Sequence, residues 1–221
     1  MNDLKKYFEN NNKKNINKWL HYFDIYEENF SKYRNKKITV LEIGVFRGGS
    51  LSMWQKYFGL QAKIIGIDIN PECKEFEREN IKIYIGDQTN EDFLHSVLID
   101  NDKPDIIIDD GGHTSNQQIS SFNFLYKELK YEGIYLVEDT HTSYNLRFQD
   151  RSDRLTFIEY AKHLSDEIND WYRVNDYRTY KKKIDEVNVS FWAKNIHKMS
   201  FYNGIVVFEK KEIQVPFCQI R

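Results

Sequence analysis

From Lys37 onward, short apolar runs alternate with longer amphipathic segments. The order is ITVLEIGV, a helix from about Ser50, KIIGIDI, a short helix, IKIYIGD, another helix, PDIIIDD, a helix from about Asn116, and GIYLVED. The apolar runs are unbroken and rich in Ile and Val, as strands are when both faces are covered. Strand and helix in regular alternation predict an α/β fold, a parallel sheet with helices on both faces. Right-handed crossovers leave few topologies for it. The stretch IHKMSFYNGIVVFEKK reads as two strands joined at Asn203-Gly204, an antiparallel hairpin added to the parallel sheet.

Two regions stand outside that alternation. Residues 1–36 are rich in Lys and Asn, yet Trp19, Leu20, Tyr22, Phe23, Ile25 and Tyr26 recur at helical spacing, which predicts an N-terminal helical extension before a domain over 37–221. Residues 141–195, with a helical stretch near Arg154–Ile168, are too long for a plain connection and are expected to form a lid or substrate-recognition insert. The 221 residues carry no internal repeat and suit one large domain.

Composition narrows the function classes. With 40% hydrophobic residues and only 10 Gly and 3 Pro, the chain can bury a core, which excludes disordered and collagen-like readings. A formal charge of −2 gives no global attraction to nucleic acid or anionic lipid, so a nucleic-acid partner is not expected. No apolar run approaches the ~20 residues that cross a bilayer, and the start lacks a signal-peptide stretch, so a cytoplasmic location is expected. Cys73 and Cys218 form no metal or disulfide spacing and are given no role.

Chemistry concentrates where strands end. The first ends in Glu42-Ile43-Gly44-Val45-Phe46-Arg47-Gly48-Gly49-Ser50, small residues at a strand-to-helix turn where backbone can approach a ligand. Phe46 stands where the dinucleotide fingerprint needs glycine, and Glu42 would repel a pyrophosphate; a purely structural turn is the alternative. Asp68 ends the second strand 24 residues beyond Gly44, near the ~20-residue offset at which an acid meets ribose hydroxyls, although a helix cap explains it too. Gly86-Asp87-Gln88 ends the third with groups able to read an adenine edge or to make a turn.

The fourth and fifth strands end in Asp109-Asp110-Gly111-Gly112-His113 and Glu138-Asp139-Thr140-His141. Neighbouring strand ends lie ~4.8 Å apart, so these carboxylates converge and call for a cation or a proton between them. Oxygen donors suit Mg²⁺ before Mn²⁺ or Ca²⁺. Glu138 and Asp139 can share an ion only if the strand has ended or twisted there. His113 is the candidate general base and His141 its weaker rival. The stretch Trp171, Tyr172, Arg173, Tyr177, Arg178, Tyr180 and Lys181–Lys183 mixes cations with aromatics, either a solvated helix face or an anion-recognition element.

Taken in order, Glu42-x-Gly44, Asp68, Gly86-Asp87-Gln88, Asp109–His113 and Glu138-Asp139 resemble a class I S-adenosylmethionine-dependent methyltransferase, most closely the metal-dependent sugar O-methyltransferases of the macrocin and mycinamicin type. The resemblance covers roughly residues 17–210. It implies a Rossmann-like sheet of order 3-2-1-4-5-7-6 with the last strand antiparallel. It also implies S-adenosylmethionine as cofactor, held by Glu42, Gly44, Arg47 and Ser50 at the methionine end, Asp68 and Ile69 at the ribose, and Asp87 with Gln88 at the adenine, with Asp109 completing the set. Asp110, Glu138 and Asp139 match the family's metal ligands; His113 matches its base, with Asp139 and His141 beside it. Gly112 departs from the family's usual Ser. The implied reaction is methylation of a hydroxyl on a small-molecule sugar or nucleotide-linked sugar, in polysaccharide or glycoconjugate synthesis. Two other readings stay open: a phosphorylated or phosphoramidate acceptor or RNA, and a non-catalytic nucleotide-binding protein on the same fold. Homo-oligomerisation also stays open.

Overall fold

The computed structural model describes residues 3–12, 15–173, 188–216 and 221. Its strands are β1 (Thr39–Ile43), β2 (Lys63–Asp68), β3 (Ile81–Ile85), β4 (Ile106–Asp109), β5 (Ile134–Val137), β6 (Ile196–Tyr202) and β7 (Ile205–Lys210). They form one seven-stranded sheet of order β3-β2-β1-β4-β5-β7-β6. β1 to β5 are parallel, and β7 runs antiparallel to both its neighbours, as the sequence predicts. The helices are α1 (Asp3–Glu9), α2 (Tyr22–Phe30), α3 (Gly49–Phe58), α4 (Glu91–Ile99), α5 (Ser115–Glu128), α6 (Phe157–Glu167) and α7 (Phe191–Asn195).

The strands divide their side chains between two cores because successive residues point to opposite faces. Val40, Ile64, Ile106 and Ile134 pack with α1, α2 and α3 on one face. Leu41, Ile65, Ile107 and Tyr135 pack with α4, α5 and α6 on the other. Helix starts follow local chemistry: Thr114 and Gln117 close a capping box on α5, and Asn90 and Thr156 cap α4 and α6. The short helix after β2 is a 3₁₀ segment, Pro71–Phe76.

Parts of both flanking regions pack on the central domain. In the N-terminal region, Phe23, Tyr26 and Phe30 of α2 are fully buried, and Tyr26 and Phe30 meet the Trp54 ring of α3 edge-on. Within 141–195, α6 packs on the domain, with Phe157, Ala161 and Leu164 buried against the α5 side of the core. Trp171, expected in an accessible basic stretch, is buried with its indole N–H donating to the Ala193 carbonyl at 3.0 Å. Tyr177, Arg178, Tyr180, Lys181–Lys183 and Cys218 lie outside the described residues.

The sheet places the chemistry. Ile43 pairs with Ile67 and with Asp109, and Asp109 pairs with Val137, so β1, β2, β4 and β5 end level with one another. The loops that follow share one edge, where open α/β sheets bind ligands. The β6–β7 turn reaches the same region. Gly204, with φ +78, offers its carbonyl to Tyr22 Oη at 3.0 Å and to the Thr140 N–H at 3.0 Å. A Cβ there would lie 2.3 Å from Tyr22 Oη.

Candidate active site

A cavity of about 450 Å³ opens at that edge, lined by the loops after β1 to β5 and by residues 15–18. Gly44 makes its floor possible. Its φ is +95, and a Cβ would sit 2.0 Å from the Asp110 carbonyl oxygen, so only glycine lets the β1 and β4 loops touch. Asp68 fixes the same loop: Oδ2 accepts the Val45 and Phe46 N–H groups at 2.8 and 3.0 Å, and Oδ1 accepts that of Asn70. Of the two roles open to Asp68, the helix cap belongs instead to Asn70, which accepts from the Glu72 N–H. Arg47, Ser50, Asp68, Ile69 and Asp87 all line the cavity.

Three residues expected to hold the cofactor are spent on protein contacts. Glu42 is fully buried and does not line the cavity; its oxygens accept from Ser50 Oγ at 2.8 Å and Trp54 Nε1 at 2.9 Å. Asp109, also buried, accepts from Ser121, Tyr135 and Gln88. Gln88 touches the cavity, but its amide nitrogen faces Asp109 and Ser121 and its oxygen accepts the Gly112 N–H at 3.1 Å. These bonds make Gln88 hold the β4 loop, with one lone pair of its oxygen left over at the cavity it lines. The departure at Gly112 has a local reason: a Cβ there would lie 2.2 Å from Gln117 Oε1, which fills the space as part of the α5 cap.

The acids are joined by a residue for which no role was expected. Lys18 carries a side chain only 2% exposed, and its Nζ lies 2.5 Å from Asp110 Oδ2, 2.8 and 2.9 Å from the two Glu138 oxygens, and 3.8 Å from Glu42. Burial opposes its charge, yet Asp110, Glu138 and Glu42 outweigh burial and raise its pKa. Burial drives the carboxylates upward too, Glu138 well above its ordinary range and Asp110 in the same direction. Lys18 is the signal's missing half: its partners stand 92 and 120 residues away in sequence.

Burial pushes the Glu42 carboxyl up to about 7, against the pull of Lys18, Trp54 and Ser50. The folded chain therefore keeps a proton that the unfolded chain releases above its ordinary 4.5, and stability falls as pH rises through that window. Lys18 is charged in both states there and adds no slope. Thermal melts in EDTA should show the melting temperature dropping from about pH 5 to about pH 8, with Glu42 supplying up to about 3 kcal/mol. Glu42→Gln should make the profile shallower, with the slope that remains belonging to Glu138, Asp110 and Asp109, which burial also raises; an unchanged slope would assign it wholly to them.

Past β5 the chain turns sharply. Asp139 has φ +51 and His113 φ +61, left-handed conformations that side chains rarely adopt. The strand has ended, which meets the condition for Asp139 to turn inward. Tyr22 Oη donates to Asp139 Oδ1 at 2.8 Å, while His113 Nε2 lies 3.7 Å from Asp139 Oδ2 and 4.0 Å from Asp110 Oδ1. His141 is more exposed, its Nδ1 3.8 Å from Asp139 Oδ1. His113 and Asp139 thus face each other, with His141 at the rim.

Asp110, His113 and Asp139 each present one donor atom, all within 4.8 Å of one another. His113 Nδ1 is buried with no hydrogen-bond partner among the described residues. The two carboxylates fit a divalent cation, and the imidazole stands beside them with Nε2 facing both. Glu138, the third expected ligand, has both oxygens on Lys18 and falls outside that triad.

No family model matches the chain. It is 34% identical over 163 residues to an 8-demethyl-8-alpha-L-rhamnosyl tetracenomycin-C 2'-O-methyltransferase of Streptomyces olivaceus, covering 69% of this chain and 43% of that protein. Over 165 residues it is 34% identical to the demethylmacrocin O-methyltransferase of Streptomyces fradiae, covering 68% and 41%. The chain thus spans less than half the length of these relatives. Its fold matches the MycE methyltransferase of the mycinamycin pathway, solved with Mg, SAH and mycinamycin VI, with a TM-score of 0.76 and 26% identity over 96% of this chain and 53% of that one.

Proposed function

We propose that this chain, a relative of the macrocin- and mycinamicin-type sugar O-methyltransferases built on the class I methyltransferase fold, transfers a methyl group from S-adenosylmethionine to a sugar hydroxyl with the help of a divalent cation, Mg²⁺ first. The observation that carries this reading is the convergence of Asp110, His113 and Asp139 beside the glycine-floored cavity. The relatives' names add the acceptor class, sugars carried on antibiotics. A nucleotide-linked sugar is a finer version of the same proposal. Among the described residues no helix is long and apolar enough to cross a membrane.

When bound, the donor supplies a methyl on a positively charged sulfur, and the cation lowers the pKa of a nearby hydroxyl. An O–CH₃ bond forms, the S–CH₃ bond breaks, and the hydroxyl proton must leave. His113 Nε2, between Asp110 and Asp139, takes that proton, and the two carboxylates stabilise the imidazolium that results. Asp110 and Asp139 hold the cation. The loop from Gly44 to Ser50, fixed by Asp68, shapes the cavity that would hold the donor; alignment of donor and acceptor in such a site can supply ~7–11 kcal/mol of the barrier.

The test is a screen of methyl glycosides and nucleotide sugars as acceptors, reading S-adenosylhomocysteine release. Turnover should need a divalent cation and vanish in EDTA. His113→Ala should lose ~10²–10⁴-fold in kcat, the range for a positioned base. Near-wild-type turnover in that variant would shift the role to His141 or solvent, and full activity in EDTA would remove the cation from the proposal.

A further inference from the structure

A second cavity, of about 260 Å³, adjoins the first. Residues 17–20 and Tyr22 form one wall, and Glu138 and Asp139 form the other. Asn17, Lys18 and Asp139 line both cavities, so the Asp139 carboxylate stands in the partition between them. A group held in the smaller space would face, across Asp139, whatever reacts in the larger one.

The wall is anchored rather than loose. Lys18 ties it to Asp110 and Glu138, Tyr22 ties it to Asp139 and Gly204, and His21 Nε2 lies 3.0 Å from the Asn203 carbonyl oxygen. Between these anchors Trp19 remains 54% exposed and Leu20 57%. The Trp19 ring meets His141 edge-on, with centroids 5.7 Å apart at 85°. An indole kept in water on fixed backbone is an unused contact surface.

We infer that the smaller cavity is the acceptor subsite and that Trp19 binds the sugar ring; this rests on the sugar-hydroxyl reading above. The volume is below the roughly 300–1,000 Å³ of drug-sized pockets, the scale of one pyranose. A pyranose has a polar edge and a face of C–H groups. Its C–H groups carry slight positive charge and meet the negative face of an indole, while its hydroxyl edge suits Asp139, which lines the cavity. None of the described residues of 141–195 lines either cavity, so the recognition surface expected there is supplied, as far as described, by the N-terminal segment.

The experiment measures saturation-transfer NMR of methyl glycosides, chiefly methyl α-L-rhamnopyranoside, on full-length protein with Mg²⁺ and S-adenosylhomocysteine, together with steady-state kinetics on any glycoside the protein methylates. In Trp19→Ala, glycoside Kd or KM should rise about 10-fold or more. Kd for S-adenosylhomocysteine should stay within about twofold, and Trp19→Phe should recover most of the loss. Equal glycoside binding in wild type and Trp19→Ala overturns the inference alone. A matching loss of S-adenosylhomocysteine binding also overturns it, since the cavity would then serve the donor. A wild type that binds no glycoside, while still binding S-adenosylhomocysteine, overturns the sugar reading and this inference with it.

Discussion

Asp139→Ala is expected to stop turnover, a fall on the order of 10³-fold or more, while S-adenosylhomocysteine binds within about threefold of wild type. The carboxylate faces His113, lies within reach of Asp110, and stands in the wall between the two cavities. On the proposed chemistry, its removal would take away one cation ligand and one stabiliser of the imidazolium, together several kcal/mol of transition-state stabilisation. The donor cavity instead depends on the β1 loop, Asp68 and Asp87, which hang from other strands. Alanine at φ +51 adds a cost of roughly 1–2 kcal/mol to folding. Asp139→Asn is therefore the control, because asparagine tolerates that backbone and its oxygen still accepts from Tyr22. Single-turnover rates and calorimetric titration separate the effects. Retained turnover in both variants would sink the proposed chemistry; lost ligand binding in both would make Asp139 a structural residue.

The second large effect belongs to Lys18→Met. The ammonium is the cation that Asp110 and Glu138 share at hydrogen-bond distance, with Glu42 beyond. Taking one partner from a buried ion cluster costs about 3–5 kcal/mol. In a chain of this length that is roughly 10 °C in melting temperature. Because burial already raises the carboxylates, they can relieve part of the cost by taking up protons, so the deficit should be smallest in acid and grow as pH rises. Lys18→Met with Glu138→Gln should recover stability, since the orphaned charge is gone as well. A single variant as stable as wild type at pH 8 would mean that the ion cluster contributes nothing to folding.

The sheet was legible because its information is local. Runs such as KIIGIDI and PDIIIDD fix strand identity, and Asn203-Gly204 fixes the hairpin. The Asp110–His113 spacing and the Glu138-Asp139 pair marked the right edge for the same reason. What escaped is what long-range packing decides. Nothing near Lys18 in sequence tells that its charge ends between strands β4 and β5. Gln88 and Asp109 look like ligand-reading groups until Ser121, Tyr135 and Gly112 are seen to use them. Trp171 sits in a basic run, yet its ring belongs to the core.

The Gly204 turn has a consequence for how the protein is made. A ribosome releases the chain from its amino end, so Asp110, His113 and Asp139 emerge long before the hairpin whose carbonyl steadies Tyr22 and Thr140. A nascent polypeptide stopped near residue 195 already owns every acid and imidazole of the site but lacks its brace.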